Sequence, residues 1–565
     1  MIIFTDSVAA LKRFLAETGL NNLALAMLQR MVLAYIMRRG RMSCSQAAGA
    51  IASDSIHRGE LTRFLARPRW QKTDFNSPLR QVLLQRESQR GQFIFLIDAT
   101  LVSQTGQKTQ NTFSTGNRSR QPAKGRRYNQ RKTVRKKVHS FTFGLLITPS
   151  GMRIPFEIPH YTQEYCAEHG LQHRTTAEAA AELIRTLPLP DDAEVIVIAD
   201  TAYDAQVVRA ACAERGYTWI VPANPERVYE GPAGARPKLR SRLQNWKHLS
   251  LRTIRLQAST GKYASYRRLS KWRLGPKQKP RVYYAYQEKR KVRSVGRVQL
   301  VFSTMKPQLK TATPNDVKLL MTNAMDLSMS EVLELYSLRW QIELFFKELK
   351  STLGFAQYSF QDFRAVRAWA ELAITTVLFL ELERIKRMQD RRLTTKARHW
   401  WATQRLHGLC HAVRQQTAVA ELKQMSKRLK TSGGIAKLKQ LLTAALPVEF
   451  RIASLEIRQI AQLQNLRVGL FHTSPHLLRS PAPQPAMNGG TRCARSTLRK
   501  TLQNYESLCK TLFPPRLSGE SILHSAHRGR SPWAWVLIMQ FGSQLPTLCS
   551  QLLTLIPHLH LPTLI

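Results

Sequence analysis

The sequence predicts an α/β fold, and three observations carry that reading. Two apolar, strand-forming runs, "QFIFLIDAT" and "AEVIVIADTAYDA", each reach an acid, at Asp98 and Asp200. Helical patterns, "TTAEAAAELIRTLP" and "AQVVRAACAERG", lie around the second run, the first with an N-terminal Thr cap and the second stopped by Gly216. A further strand-like run, "YTWIVPAN", follows them. Buried strands alternating with helices are the pattern of a sheet layered with helices.

Residues 1–90 read as a helical domain. "LALAMLQRMVLAYIMRRG" carries apolar residues at helical spacing and ends at Gly40, and "SCSQAAGAI" and "HRGELTRFLARPRW" follow as shorter helices. Short helices laced with Arg suit a helix-turn-helix type of DNA-binding module or a plain helical bundle. The first part of the core spans 91–224. Within it "HSFTFGLLITPSGMRIPFEIPHY" reads as a hairpin turning at Pro149-Ser150-Gly151. From 225 to 316 the runs "LSLRTIRLQ", "KYASYRRLSKWRL", "RVYYAYQEKRKV" and "RVQLVFST" are strand-like and basic, which predicts a β-rich insertion. "DVKLLMTN" returns to the core pattern, and residues 317–390 form its second part. Ser328 and Glu331 make a capping box for a long helix that Gly354 stops. Further helices are expected from Arg364 to 389 and from 404 to 460, so 391–474 reads as a helical C-terminal region. The tail, 475–565, lacks Asp and any sustained period, and reads as irregular and disordered.

A chain of 565 residues has room for roughly two to four domains. Its 86 Lys+Arg against 37 Asp+Glu leave a net charge of +49, which points to a polyanionic partner, most often nucleic acid. The segment 118–137, "RSRQPAKGRRYNQRKTVRKK", holds Arg126 and Arg127 and has no carboxylate. Such a segment repels itself unless it is solvated or laid along phosphates. The cysteines at 44, 166, 212, 410, 493, 509 and 549 form no CxxC pair, which argues against a zinc ribbon or a disulfide framework and suits a reducing cytosol. The start, "MIIFTDSVAALKRFL", has no basic region followed by an apolar run, so no signal peptide is expected. The most apolar segments are too short or too often interrupted to span a bilayer, so no membrane association is expected.

The stretch "YSLRWQIELFFKELK" concentrates the chemistry. At about 100° per residue, Tyr336, Arg339, Glu343 and Lys350 fall within an arc of roughly 60°, flanked by Trp340 and Lys347. Leu335, Leu338, Ile342, Phe345, Phe346 and Leu349 form a separate apolar stripe. The plain reading of the polar arc is a solvated face with ion pairs. Asp98 and Asp200 change its weight, because a carboxylate at the end of a central strand sits where α/β folds bind ligands. Asp204 instead reads as a cap for the helix after Ala205. Two strand-end aspartates and one helix carboxylate make an oxygen set able to hold divalent metal. Such a set suits phosphodiester chemistry, in which metal ions activate water and steady the leaving oxygen while Lys and Arg hold phosphates.

The spacing Tyr-x2-Arg-x3-Glu-x6-Lys resembles the YREK signature of bacterial insertion-sequence transposases with an Asp-Asp-Glu triad, in the family founded on insertion sequence four. "LYSLRWQIELFFKELK" and "IADTAYD" are also similar to that family, and the likeness covers about 90–390. The resemblance implies a ribonuclease-H-like catalytic core interrupted by the β-rich insertion and flanked by the helical regions. It implies that Asp98, Asp200 and Glu343 are catalytic and bind two Mg²⁺, for which Mn²⁺ can substitute. It implies that Tyr336, Arg339 and Lys350 contact phosphates at the transposon end, and that Trp340 packs on the flanking nucleotide or into the core. In relatives an insertion-domain tryptophan receives a flipped base; Trp246 and Trp272 are candidates, with no motif to choose between them. The implied reaction is cut-and-paste DNA transposition in the bacterial cytoplasm, acting on double-stranded terminal inverted repeats and target DNA, with a homodimer joining two ends. A metal-dependent nuclease on the same core and a decayed transposase that only binds DNA are the alternatives.

Overall fold

A computed structural model describes residues 7–414, apart from 38–41, 49–55, 68–73, 88–89, 119–132, 271–278 and 308–311. The chain divides into compact units, Met1–Gln459 and Ile460–Ile565, and every described residue lies in the first. Arg126, Arg127, Trp272, the end of the expected C-terminal helical region and the tail from 475 lie outside the described residues.

The N-terminal region is helical: α1 (Ser7–Ala16), α2 (Asn22–Met37), α3 (Cys44–Ala48), α4 (Arg58–Ala66) and α5 (Asn76–Leu84). The sheet then begins with β1 (Phe93–Gln104), β2 (Phe113–Arg118), β3 (Thr133–Ile147) and β4 (Arg153–Pro159). The helices α6 (Gln163–His169) and α7 (Thr176–Arg185) lead to β5 (Val195–Ala199), α8 (Gln206–Glu214) and β6 (Thr218–Pro222). After α9 (Leu239–Gln244) come β7 (Arg252–Leu256), β8 (Arg281–Val292), β9 (Gly296–Thr304) and β10 (Lys318–Thr322). The chain continues through α10 (Met329–Tyr336), α11 (Trp340–Glu348), α12 (Phe363–Gln389) and α13 (Thr395–Thr403).

All ten strands join one sheet in the order β2-β3-β1-β5-β6-β10-β9-β8-β7, with β4 also on β3. β1 runs antiparallel to β3 and parallel to β5, and β5 runs parallel to β6. Ile94, Phe95, Leu96 and Ile97 are all fully buried, as expected of a strand covered on both faces. The hairpin turns where the sequence places it: Gly151, at φ +83°, donates to Thr148 O at 2.7 Å. Thr175 and Ser328 both form complete capping boxes, and Gly354 ends its helix at φ +75°.

The structure departs from expectation in four elements. The expected strand "KYASYRRLS" is a series of turns over 262–269. Its Arg267 is buried and donates to the carbonyls of Ala258 (3.2 Å) and Gln257 (3.0 Å) and to Glu334 (2.5 Å), so the chain curls around a guanidinium instead of extending. The other strands of the insertion do not stand apart, because β9 pairs with β10 and so lengthens the core sheet. A helix, α13, forms ahead of the one expected at 404. β1 continues six residues past Asp98, which places that acid inside a strand and not at its end.

The long helix α12 is buried around most of its circumference, the state of a central helix. It packs on α2, α4, α5 and β4, and Tyr35 donates to Trp369 O at 3.1 Å. Among the described residues no helix is long and apolar enough to cross a membrane.

Candidate active site

Register brings the two aspartates together. The β1–β5 pairing ends at Ile97↔Ala199, so Asp98 and Asp200 are the next residue on each of two adjacent parallel strands. β1 continues beyond this point because β3 still pairs with it, Asp98 lying opposite Phe143. β5 stops, and Asp200 opens a short 3₁₀ turn, Thr201–Tyr203, without capping it.

Phe143 also docks the third carboxylate. Its ring packs at 5.4 Å on Phe346, 6.2 Å on Phe345 and 5.9 Å on Phe355. The residue opposite Asp98 therefore seats the helix that carries Glu343. All six residues of the apolar stripe are buried, which confirms the helix as an anchored one. The helix is not regular, however. A 3₁₀ turn at Ser337–Arg339 separates α10 from α11, and a π-turn at Leu349–Leu353 follows. A uniform arc of 100° steps therefore does not describe how Tyr336 and Lys350 stand relative to Glu343.

Arg339 ties the carboxylates into one group. It donates from Nη2 to Glu343 Oε1 at 2.6 Å and from Nη1 to Asp98 Oδ2 at 3.4 Å. In this structure Arg339 is thus a salt-bridge partner, where the sequence reading freed it for phosphate. Asp98 Oδ1 also accepts from the Ala99 amide at 2.8 Å. Burial pushes the Asp98 carboxyl up; the Ala99 amide and Arg339 oppose that, and the charges of Asp200 and Glu343 add to it. Asp98 therefore feels the charge of the other two carboxylates. As placed, no three or more His, Cys, Asp or Glu among the described residues stand close enough to enclose a metal ion. The donor set nevertheless has the chemistry of a Mg²⁺ site: three hard carboxylate oxygen ligands brought from three elements.

The remaining expected residues divide. Tyr336 is half-buried and burial raises its hydroxyl to about 12, so it stays protonated at neutral pH. Lys350 donates to Leu101 O at 2.8 Å and is committed to the continuing part of β1. Trp340 is 52% exposed, unusual for its size, and lines a cavity of about 840 Å³ with Tyr336, Arg339 and the extended sheet. Trp246 is 1% exposed and belongs to the core, so it presents no surface to a base. Asp204 is no helix cap. Its side chain is 1% exposed and takes Arg209 at 2.5 Å and Arg227 at 2.6 Å. Lys318, at the start of β10, also faces the site, and sequence reading missed it. The one available signal was a lone lysine opening an otherwise apolar strand.

Residues 165–379 match the family model described as Transposase DDE domain, and residues 18–267 match the one described as DDE superfamily endonuclease. Asp200 falls within both, Asp98 only within the second and Glu343 only within the first. No curated protein matches the chain. A large mixed sheet with these two matches supports a DDE-type transposase with nuclease or transposase activity.

Proposed function

We propose that the chain is a cut-and-paste transposase of the insertion-sequence-four type, acting on double-stranded DNA at the inverted ends of its element. The observation that carries this reading is the register Ile97↔Ala199, which sets Asp98 beside Asp200, together with Arg339 joining Asp98 to Glu343. The strand order β4-β3-β1-β5-β6, three antiparallel followed by two parallel to β1, supports a ribonuclease-H-like core.

In this reading Asp98, Asp200 and Glu343 hold the divalent metal. Bound Mg²⁺ would supply activation of a nucleophilic water or of a DNA 3′-hydroxyl and relief of charge on the leaving oxygen. The protein's own residues do the rest. Arg339 has both a carboxylate partner and the planar fork that fits a phosphate, so it can shift from one to the other as DNA arrives. Tyr336, kept neutral, offers a hydrogen bond and no charge. Trp340 offers an exposed face to a nucleotide beside the cut. Two ends must be joined, which favours a homodimer, and the absence of a covalent protein–DNA step leaves Tyr336 without a nucleophilic role.

Glu343→Ala is expected to lose Mg²⁺-dependent cleavage of end DNA while keeping end binding. Cleavage retained by that variant would overturn the triad. Because the second matched family is described as an endonuclease, a nuclease without strand transfer is the alternative. Incubation with end DNA, a target plasmid and Mg²⁺ separates them: joined products support transposition, and cleaved ends alone support the nuclease.

A further inference from the structure

Lys318 opens β10 directly opposite Ser303 of β9, and both line the cavity beside the carboxylates. Its Nζ lies 4.8 Å from the centre of the Tyr336 ring and 3.4 Å from the Tyr336 hydroxyl. A ring face fixes the direction of an ammonium without neutralising it. The residue is exposed, and among the described residues its ammonium makes no ion pair. Its ammonium nevertheless sits in the field of the site: burial of the charged end and the Arg339 charge push its pKa down, and Asp200 and Glu343 oppose that.

The two cations therefore have different standing. Arg339 comes from the helix and is bound to Asp98 and Glu343. Lys318 comes from the sheet and has its charge unspent. Arg281 and Tyr283 of β8 line the same cavity and continue its wall along the extended sheet. Beside the carboxylates, a cation without an ion pair on the cavity wall has one evident use: to draw a negatively charged group into the cavity. We propose that Lys318 binds a backbone phosphate of the DNA strand at the carboxylates, from the sheet side, with the Tyr336 ring as its support. The proposal rests on the transposase reading and adds to it a phosphate contact outside the YREK positions.

Single-methylphosphonate DNA tests this. A series of end duplexes is made, each with one phosphate near the cleaved bond replaced by a neutral methylphosphonate, and binding is measured by fluorescence anisotropy. The wild-type protein is expected to lose about tenfold in affinity at the phosphate that Lys318 holds, the scale of one charge-assisted contact. Lys318→Ala is expected to bind the unmodified duplex more weakly and to be indifferent to that one replacement while remaining sensitive to others. Lys318→Arg is expected to restore the sensitivity. Unfolding does not confuse the result, because each variant is compared with itself across the series. If Lys318→Ala remains as sensitive as wild type at every position, the assignment is overturned and the transposase reading stands. If the wild-type protein binds no end DNA at all, both fall together.

Discussion

Glu157 shows how much one buried carboxyl can set. It lies on β4, and burial raises it to about 8 although Arg80 stands 3.5 Å away and pulls it down. Because the folded value is above the unfolded one, the folded state holds a proton that the unfolded state releases. That stability is present in full below about pH 4.5 and is lost as pH rises through about 8, at no more than about 1.4 kcal/mol per unit. Glu157→Gln is expected to melt near wild type at pH 5 and above it at pH 8.5; a gap that does not widen with pH would sink this. Asp204 offers a second test. Its buried carboxylate holds Arg209 and Arg227, and Arg227 also donates to Asp204 O at 2.8 Å. Asp204→Ala is expected to cost about 3–5 kcal/mol. Glu214→Ala, which breaks an exposed pair with Arg185, is expected to leave stability nearly unchanged. Equal losses in urea unfolding would refute the contrast. Residues of this kind mark where sequence reading stops. An apolar run before Asp98 and Asp200 is visible in the sequence. Asp204 looks like a cap because its partner Arg227 is 23 residues away in a loop with no pattern of its own.

At the scale of elements, the strands and helices with strong local signals were legible, and those held by a single tertiary contact were not. β8 and β9 carry runs of aromatic or branched residues, so they declare themselves. "KYASYRRLS" has the same composition, but Arg267 draws the backbone into turns. The break between α10 and α11 is equally silent, because nothing in "YSLRWQ" forbids a regular helix. Gly144 was silent for another reason. It pairs with Ile97 beside the site, and a Cβ there would lie 2.1 Å from the Phe95 ring. Phe95 is fully buried and packed edge-on against Phe156, so it has little room to yield. Gly144→Ala is expected to cost about 1–3 kcal/mol by overpacking and to tilt β3 relative to β1. Thermal melting checks the first effect. A variant that melts like wild type would mean that Phe95 moves freely.

Across the whole molecule, a buried charge network joins parts that are far apart in the chain. Arg153 follows the hairpin turn, and it donates to Glu348 at 3.2 Å and to Glu381 at 3.3 Å, partners 195 and 228 residues away. Arg384 shares Glu381 and donates to Gly151 O at 2.7 Å. The amide of Leu406 approaches Glu348 at 3.4 Å. Glu348 lies on α11, five residues beyond Glu343, so the network fixes the depth of that helix against the hairpin, α12 and the segment after α13. Such separations leave no trace in local patterns. The consequence can be tested by graded substitution. Glu348→Gln keeps an acceptor for Leu406 but leaves Arg153 with one carboxylate that it shares with Arg384. Glu348→Ala removes the acceptor as well. Both are expected to lower the melting temperature, the alanine more, because Arg153 loses one of its two buried carboxylates in each and the alanine also leaves the Leu406 amide without its acceptor. At a temperature where both are folded, end-DNA cleavage is expected to fall more than end binding, since Glu343 is the part displaced. If Glu348→Ala melts as wild type, the network is not what seats the helix. If binding and cleavage fall together, the displacement is not confined to the carboxylates.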